Sequence, residues 1–254
     1  MMDNANSKMP DGFNHQACLS IDSTNKEAVR QIMTGAVSGL WITAEEQTSG
    51  RGRSGREWVS NSGNLFSTLV YETGKSLCHS AQLSFVTSLA VRDTVEHFTI
   101  GADVKCKWPN DVLVNGAKIS GILLETFINE DGTNFMIIGI GINVNHHPDK
   151  PLYPAAHINK FANVAVSDVF QCLAKNMSGW LNVWQNYGFE KIRHSWLNYA
   201  KGQGDDILVR LPNEELNGRF VDLDGDGALM LDTGTEIKLI HSGDVFFPDV
   251  KEEK

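Results

Sequence analysis

Strand-like and helix-like spacings of apolar residues alternate through about the first 200 positions, and short strands alone follow. Cys18-Leu19-Ser20-Ile21 reads as a short strand. Ala28, Val29, Ile32 and Met33 then share one face of a helix over Lys26–Met33. A side chain from Asp22-Ser23-Thr24-Asn25 should cap that helix, and Gly35 should stop it. Leu40–Ala44 and residues 64–71 are strands, and residues 79–98 form a helix with the stripe Leu83, Val86, Ala90, Val91 and Val95. Val104–Trp108 is a strand with Lys105 and Lys107 on one face and Cys106 and Trp108 on the other. Asn115-Gly116 is the strongest short hairpin signal in the chain. A two-residue turn there sets Val114 opposite Ala117, Leu113 opposite Lys118 and Asp111 opposite Ser120, so Asp111 and Lys118 become diagonal neighbours on one face. Phe127-Ile128 and Phe135–Ile140 pair across the turn at Asn129–Asn134.

After a long loop at 148–166, Ser167 or Asp168 should cap a helix from about Val169 to Tyr187, with a second helix over Phe189–Tyr199. Composition shifts at Lys201-Gly202-Gln203-Gly204. Beyond it lie the strands Ile207–Leu211, Arg219–Leu223, Ala228–Asp232, Glu236–Ile240 and Val245–Phe247. The pattern divides the chain into a flexible tail (1–16), an α+β domain (17–203) and a small β domain (204–254) that leans on it for stability.

A formal net charge of −9 and a pI near 5.3 argue against a nucleic-acid surface. Mean hydropathy of −0.22, with no run as long as a membrane span, indicates a soluble protein. Cys18, Cys78, Cys106 and Cys172 are scattered without metal-ligand spacing, which reads as free thiols in a reducing compartment. Residues 1–16 contain no signal-peptide core, so the expected location is cytoplasmic.

Against that acidic background, Gly50-Arg51-Gly52-Arg53-Ser54-Gly55-Arg56 concentrates three arginines and three glycines. Glycine lets a backbone approach a ligand closely, and arginine offers forked donors to carboxylate or phosphate. A mobile loop that orders over a small anion is the physical reading. Gly50, Gly52 and Gly55, with Glu72 further on, also match the dinucleotide fingerprint G-x-G-x-x-G. That match fails, because the next strand follows too soon for the helix the fingerprint must open. A solvated RNA-binding segment fits poorly too, since such segments come repeated and this one occurs once.

The stretch from Gly50 through Tyr71 resembles the glycine/arginine loop and following strand of biotin protein ligases. Lys107-Trp108-Pro109-Asn110-Asp111 with Lys118-Ile119-Ser120-Gly121-Ile122-Leu123-Leu124-Glu125 is similar to that family's second block, and Gly139–Asn145 to its third. Asp22-Ser23-Thr24-Asn25 is similar to its first biotin contact. The resemblance implies a class II synthetase-like α+β catalytic domain, with a mixed or antiparallel sheet packed against helices, and a C-terminal SH3-like barrel. It implies a form without an N-terminal DNA-binding domain, for which residues 1–16 leave no room. Phe66 stands where the family often has tyrosine.

By the same resemblance, Ser23, Thr24, Asn25, Gln47, Gly50, Arg51, Gly52, Arg53, Lys118 and Gly121 contact biotin, and Arg53, Arg56, Trp58, Lys107, Asn110 and Asn143 contact ATP. The residues read alone permit plainer roles: helix capping for Ser23 and Thr24, a surface amide for Gln47, a turn for Asn143 and a surface ion pair for Asp111 with Lys118. The implied catalytic group is Lys118, Arg53 and Asp111. Mg²⁺ should accompany ATP, with Asp111 either holding it or positioning the acceptor lysine. The implied partner is a biotin carboxyl carrier protein or a similar carboxylase domain, with edge strands offering a route to a homodimer. Adjacent His146 and His147 make a poor metal site by spacing. A lipoate or octanoate transferase and a biotin-sensing repressor are the competing readings. The paired loop and the Lys107–Asp111 block favour biotin, and the acidic pI disfavours DNA.

Overall fold

The computed structural model describes residues 9–74, 80–148 and 153–247. Cys78, His79 and the first eight residues lie outside them. Two sheets and three helices make up the fold. The first elements are β1 (Asn14–Ile21), α1 (Thr24–Met33), β2 (Leu40–Gln47) and β3 (Leu65–Gly74). Then come α2 (Leu83–Phe98), β4 (Val104–Lys107), β5 (Asp111–Val114), β6 (Ala117–Ile128), β7 (Asn134–Ile142) and α3 (Val166–Asn198). The chain closes with β8 (Asp206–Arg210), β9 (Glu215–Leu223), β10 (Leu229–Asp232), β11 (Ile237–Ile240) and β12 (Asp244–Phe246). The large sheet runs β1-β2-β3-β7-β6-β5-β4 and the small one β11-β10-β9-β8-β12. Among the described strands only the β1–β2 pair is parallel, joined through α1, as a parallel connection requires a crossover.

Several boundaries differ from the sequence reading. The first strand begins at Asn14, because Asn14–Gln16 pair with Leu40–Ile42 rather than trailing as a loose tail. Ser23 occupies the position before α1, but its side chain makes no capping bond; the Thr24 hydroxyl instead donates to Gln47. Gly35 follows the helix at φ +97°, where glycine is favoured. Neither Ser167 nor Asp168 caps α3, which starts earlier, at Val166 after Ala165. The expected break between two helices is real: Gly188, at φ 74°, interrupts α3. The hairpin turn at Asn115-Gly116 holds, but a bulge between Val112 and Leu113 sets Asp111 opposite Gly121 and Val112 opposite Ser120.

Side-chain alternation on β7 explains where the open face lies. Met136, Ile138, Ile140 and Ile142 face the main core with α2 and α3. Phe135 and Ile137 face the opposite way, into a smaller core with Ala28 and Ile32 of α1. Next on that second face come Gly139 and Gly141, so the sheet beyond α1 is hollowed where side chains would stand.

The small sheet is fastened to the large one. Trp108 Nε1, just after β4, donates to Gly227 O (3.2 Å), and Arg193 of α3 bonds Asp222 (2.5 Å) and Leu223 O (2.7 Å), while Cys106 N donates to Tyr199 O (2.8 Å) and so ties β4 to the end of α3. The Cys106 thiol is buried, and desolvation pushes it up to about 12; Cys18 and Cys172 are half-buried and free. No described helix is long and apolar enough to cross a membrane.

The segment after β7 folds back over the sheet. Asn64 Oδ1 accepts from the amides of Val144, Asn145 and His146. Lys118 is bracketed by Pro154 O and the Ala156 amide (2.7 and 2.9 Å). His147 Nδ1 lies 2.8 Å from His157 Nδ1, a contact that needs one ring neutral. Burial first, then His147, Lys160 and His146, hold His157 below its ordinary 6.5. Burial does the same to His15. With folded pKa values below the unfolded ones, the unfolded chain binds more protons, so stability is complete above the ordinary value and is lost as pH falls from there through the lowered folded value. Thermal melts from about pH 7.5 to about pH 5.5 should show a falling midpoint, and a smaller fall in His157→Asn; equal falls would exclude the pair as a contributor.

Candidate active site

A cleft of about 540 Å³ opens on the hollow face. It is lined by the start of α1, the arginine loop, β6 and β7, the loop ending at Ala155, and Asp244 of the small sheet. At one end Ser23, Thr24 and Asn25 are 4–5% exposed. Gln47 Oε1 accepts from Thr24 N (2.9 Å) and Oγ1 (3.1 Å), while its Nε2 donates to Ser60 Oγ (3.0 Å). The Asn25 amide is fixed from both sides: Thr68 Oγ1 donates to its Oδ1 (2.6 Å), and its Nδ2 donates to Glu125 (2.7 Å). These are oriented, buried polar groups, suited to a neutral polar ring.

The floor is made by glycine. A Cβ on Gly139 would lie inside van der Waals contact of Asn25 Oδ1. One on Gly141 would fall 2.6–2.7 Å from the Trp58 ring, and one on Gly121 about 3.0 Å from it. The planar group packed against Gly121 and Gly141 is the Trp58 indole. Its indole N–H is buried without a partner among the described residues.

Positive charge gathers at the middle and mouth. Lys118 Nζ is 2.7 Å from Asp111 Oδ1, both partly buried, and 5.6 Å from the Trp58 ring. The bulge in the hairpin keeps the two on one face despite the altered register. Arg51 reaches Glu125 (3.3 Å), Arg53 donates to Asn110 Oδ1 (3.0 Å), and Arg56 pairs with Asp244. Burial pulls the Arg53 guanidinium below its ordinary value, while Asp244 and Asp111 push back. Asn143, 6% exposed, is tied to Ala156 O (3.0 Å) and lines the cleft rather than serving as a simple turn.

Two expected contacts lie outside the lining. Gly50 turns away and packs against Ser60 and the Trp58 carbonyl. Lys107 sits under the aromatic rings of Tyr153, Phe246 and Phe247 at 5.3–6.0 Å, and burial lowers its pKa. Glu57, Tyr153, Ala155 and Asp244 line the cleft without having been singled out. Asp244 and Tyr153 come from distant segments with no motif. Glu125 lay inside a quoted block and took no role from spacing alone.

Two family models match: the biotin/lipoate A/B protein ligase family over residues 18–143 and the biotin protein ligase C-terminal domain over residues 204–247. A biotin–acetyl-CoA-carboxylase ligase of Paracoccus denitrificans is 37% identical over 89% of this chain and 97% of its own length. The chain belongs to the biotin protein ligase family.

A bifunctional ligase/repressor of Bacillus subtilis is 33% identical over 89% of this chain and 71% of its own length. The Aquifex aeolicus biotin protein ligase in complex with biotin and ATP superposes with a TM-score of 0.79 at 27% identity, covering 92% of this chain and 97% of that one. The mixed seven-stranded sheet with its helices is the biotin protein ligase catalytic fold, and the five-stranded sheet is the family's small SH3-like unit. In a biotin protein ligase built this way, the floor glycines are required by close packing rather than by backbone angle. Gly139→Ala is therefore expected to lower stability by about 1–3 kcal/mol through overpacking against Asn25, read as a lower urea midpoint. An unchanged midpoint would contradict the close approach.

Proposed function

We propose that this cleft joins biotin to ATP as biotinyl-5′-AMP and then passes the biotinyl group to a lysine of a biotin carboxyl carrier protein. The observation that carries the reading is the joining of a buried amide- and hydroxyl-lined pocket to a cluster of Lys118 and three arginines. The ring of biotin fits the end formed by Ser23, Thr24, Asn25 and Gln47, where locked donors and acceptors meet a ureido group. Its carboxylate then points along the glycine floor of Gly121 and Gly141 toward Lys118, Arg51 and Arg53, with Gly52 easing the close approach of the loop. The nucleotide takes the side of Trp58, Arg56, Asn110 and Asn143, with Lys107 behind them.

In the first step a carboxylate oxygen attacks the α-phosphorus, the bond to the bridging oxygen breaks and pyrophosphate leaves. Both reactants are anions, so their repulsion sets the barrier. A fixed ammonium and guanidinium in a partly dry site oppose it more strongly than water would. In the second step a neutral lysine amine attacks the acyl carbon, its proton is lost, and AMP departs with the C–O bond electrons. Lys118 faces the reacting oxygens in both steps. Asp111 is the carboxylate at this end of the cleft that would hold Mg²⁺: its Oδ1, 2.7 Å from Lys118 Nζ, is a hard oxygen of the kind the ion prefers beside phosphates, which would supply the other ligands. Bound there, it would offset phosphate charge. Asp111, freed from the ion, is equally placed to orient the acceptor lysine.

The loop has a second task, since the mixed anhydride hydrolyses if water reaches it. Biotin-dependent exchange of labelled pyrophosphate into ATP tests the first step without any acceptor; its absence would refute the activity. Lys118→Ala is expected to slow that exchange by roughly a hundredfold or more, and a near wild-type rate would refute its role. Arg53→Gly is expected to release free biotinyl-AMP into solution. A variant that retained the intermediate as tightly as the wild type would refute the closing role of Arg53.

A further inference from the structure

Three arginines within six residues, beside a lysine, repel one another across the cleft. Yet each already has an acceptor, and two of those acceptors are carboxylates that the two reaction steps do not use. Glu125, on β6, takes Arg51 on Oε1 (3.3 Å) and the Asn25 amide on Oε2 (2.7 Å). Asp244, at the start of β12 in the small sheet, takes Arg56, and the carbonyl of Gly243 beside it lies 3.5 Å from both terminal nitrogens of Arg53. The two carboxylates come from different sheets. Asp244 is itself part of the cleft wall.

The strength of these pairs matters. Arg51, Glu125, Arg56 and Asp244 are 31–46% exposed, and pairs in that setting are weak. A ligand carboxylate or phosphate brought to the same guanidinium in a drier, closed site makes a stronger charge-assisted bond. Weak pairs can thus order the loop without holding it against the ligand.

We propose that Glu125 and Asp244 are positioning residues, placeholder anions that hold the arginine loop over the empty cleft and surrender Arg51 and Arg56 to the ligand's carboxylate and phosphates. This rests on the proposed function. Glu125 has an added part, because one carboxylate links the loop to the Asn25 amide in the ring pocket. Arrival of the ring and release of Arg51 therefore act on the same side chain.

Hydrogen exchange of the loop amides over residues 50–58 tests the proposal, using the full chain first empty and then saturated with biotin and an ATP analogue that cannot be cleaved at the α-phosphate. Glu125→Gln and Asp244→Asn should each speed exchange of the empty protein by roughly threefold or more, and the difference from wild type should vanish with both ligands bound. Unchanged exchange in the empty variants would overturn the proposal. So would an acceleration of equal size with ligands bound, since the carboxylates would then be ordinary structural contacts. Should Asp244→Asn unsettle the small sheet, the reversed pair Arg56→Asp with Asp244→Arg provides a second reading: exchange restored toward wild type in the empty protein supports the latch, and no restoration removes it. Failure of the wild type to bind biotin in calorimetry would sink the ligand reading and the hand-over together, while the empty-state comparison would still report whether the two latches exist.

Discussion

Two anions do not approach one another inside a protein unless the protein supplies the opposing charge. In a chain with a formal net charge of −9, that charge has to be gathered locally, and it is gathered at one place. Lys118 on β6 and Arg51, Arg53 and Arg56 on the loop after β2 converge on a single cleft. Asp111, Glu125 and Asp244 stand against Lys118, Arg51 and Arg56 respectively. The lysine stands on a strand and the arginines on one glycine-containing loop, so their carboxylate partners come from β5, β6 and β12.

The fold meets this requirement through one alternating strand. On β7 every second residue from Met136 to Ile142 is a large apolar side chain facing α2 and α3, which holds the sheet rigid from behind. The front changes character within four residues, from Phe135 and Ile137 beneath α1 to Gly139 and Gly141. Helix α1 covers the first pair, and the cleft occupies the second. Helix start, glycine floor and Lys118 thus belong to one plane, with the segment at Pro154–Ala156 pinning the lysine backbone from above. The small sheet closes the mouth with Asp244 and makes the arginine loop a contact between the two sheets.

Much of this was legible because local rules and global packing agreed. The amphipathic stripes of α1 and α2, the Asn115-Gly116 turn and the break at Gly188 all followed from spacing. What failed depended on contacts no local rule contains. Asn14–Gln16 read as tail because three polar residues become a strand only when a parallel partner is present. Ser23 looked like a cap, but Thr24 and Gln47 satisfy each other across 23 positions of sequence. The bulge beside Val112 cannot be seen in a hairpin signal that counts only turn residues. In the site, the arginines were recognisable as a cationic motif in an acidic chain and the hairpin turn brought Asp111 and Lys118 together, but their role came from the family resemblance; Asp244, 188 positions from Arg56, lies in a sheet with no motif of its own.

The central claim is that Lys118 sits at the junction where the two anions meet. A structure of the protein with a non-hydrolysable analogue of biotinyl-5′-AMP tests it most directly. Lys118 Nζ is expected within about 3 Å of an oxygen at the acyl–phosphate link, with Arg51 and Arg53 turned from Glu125 and Gly243 toward the ligand. Lys118 still paired only with Asp111, and the arginines still at their empty-state partners, would contradict it.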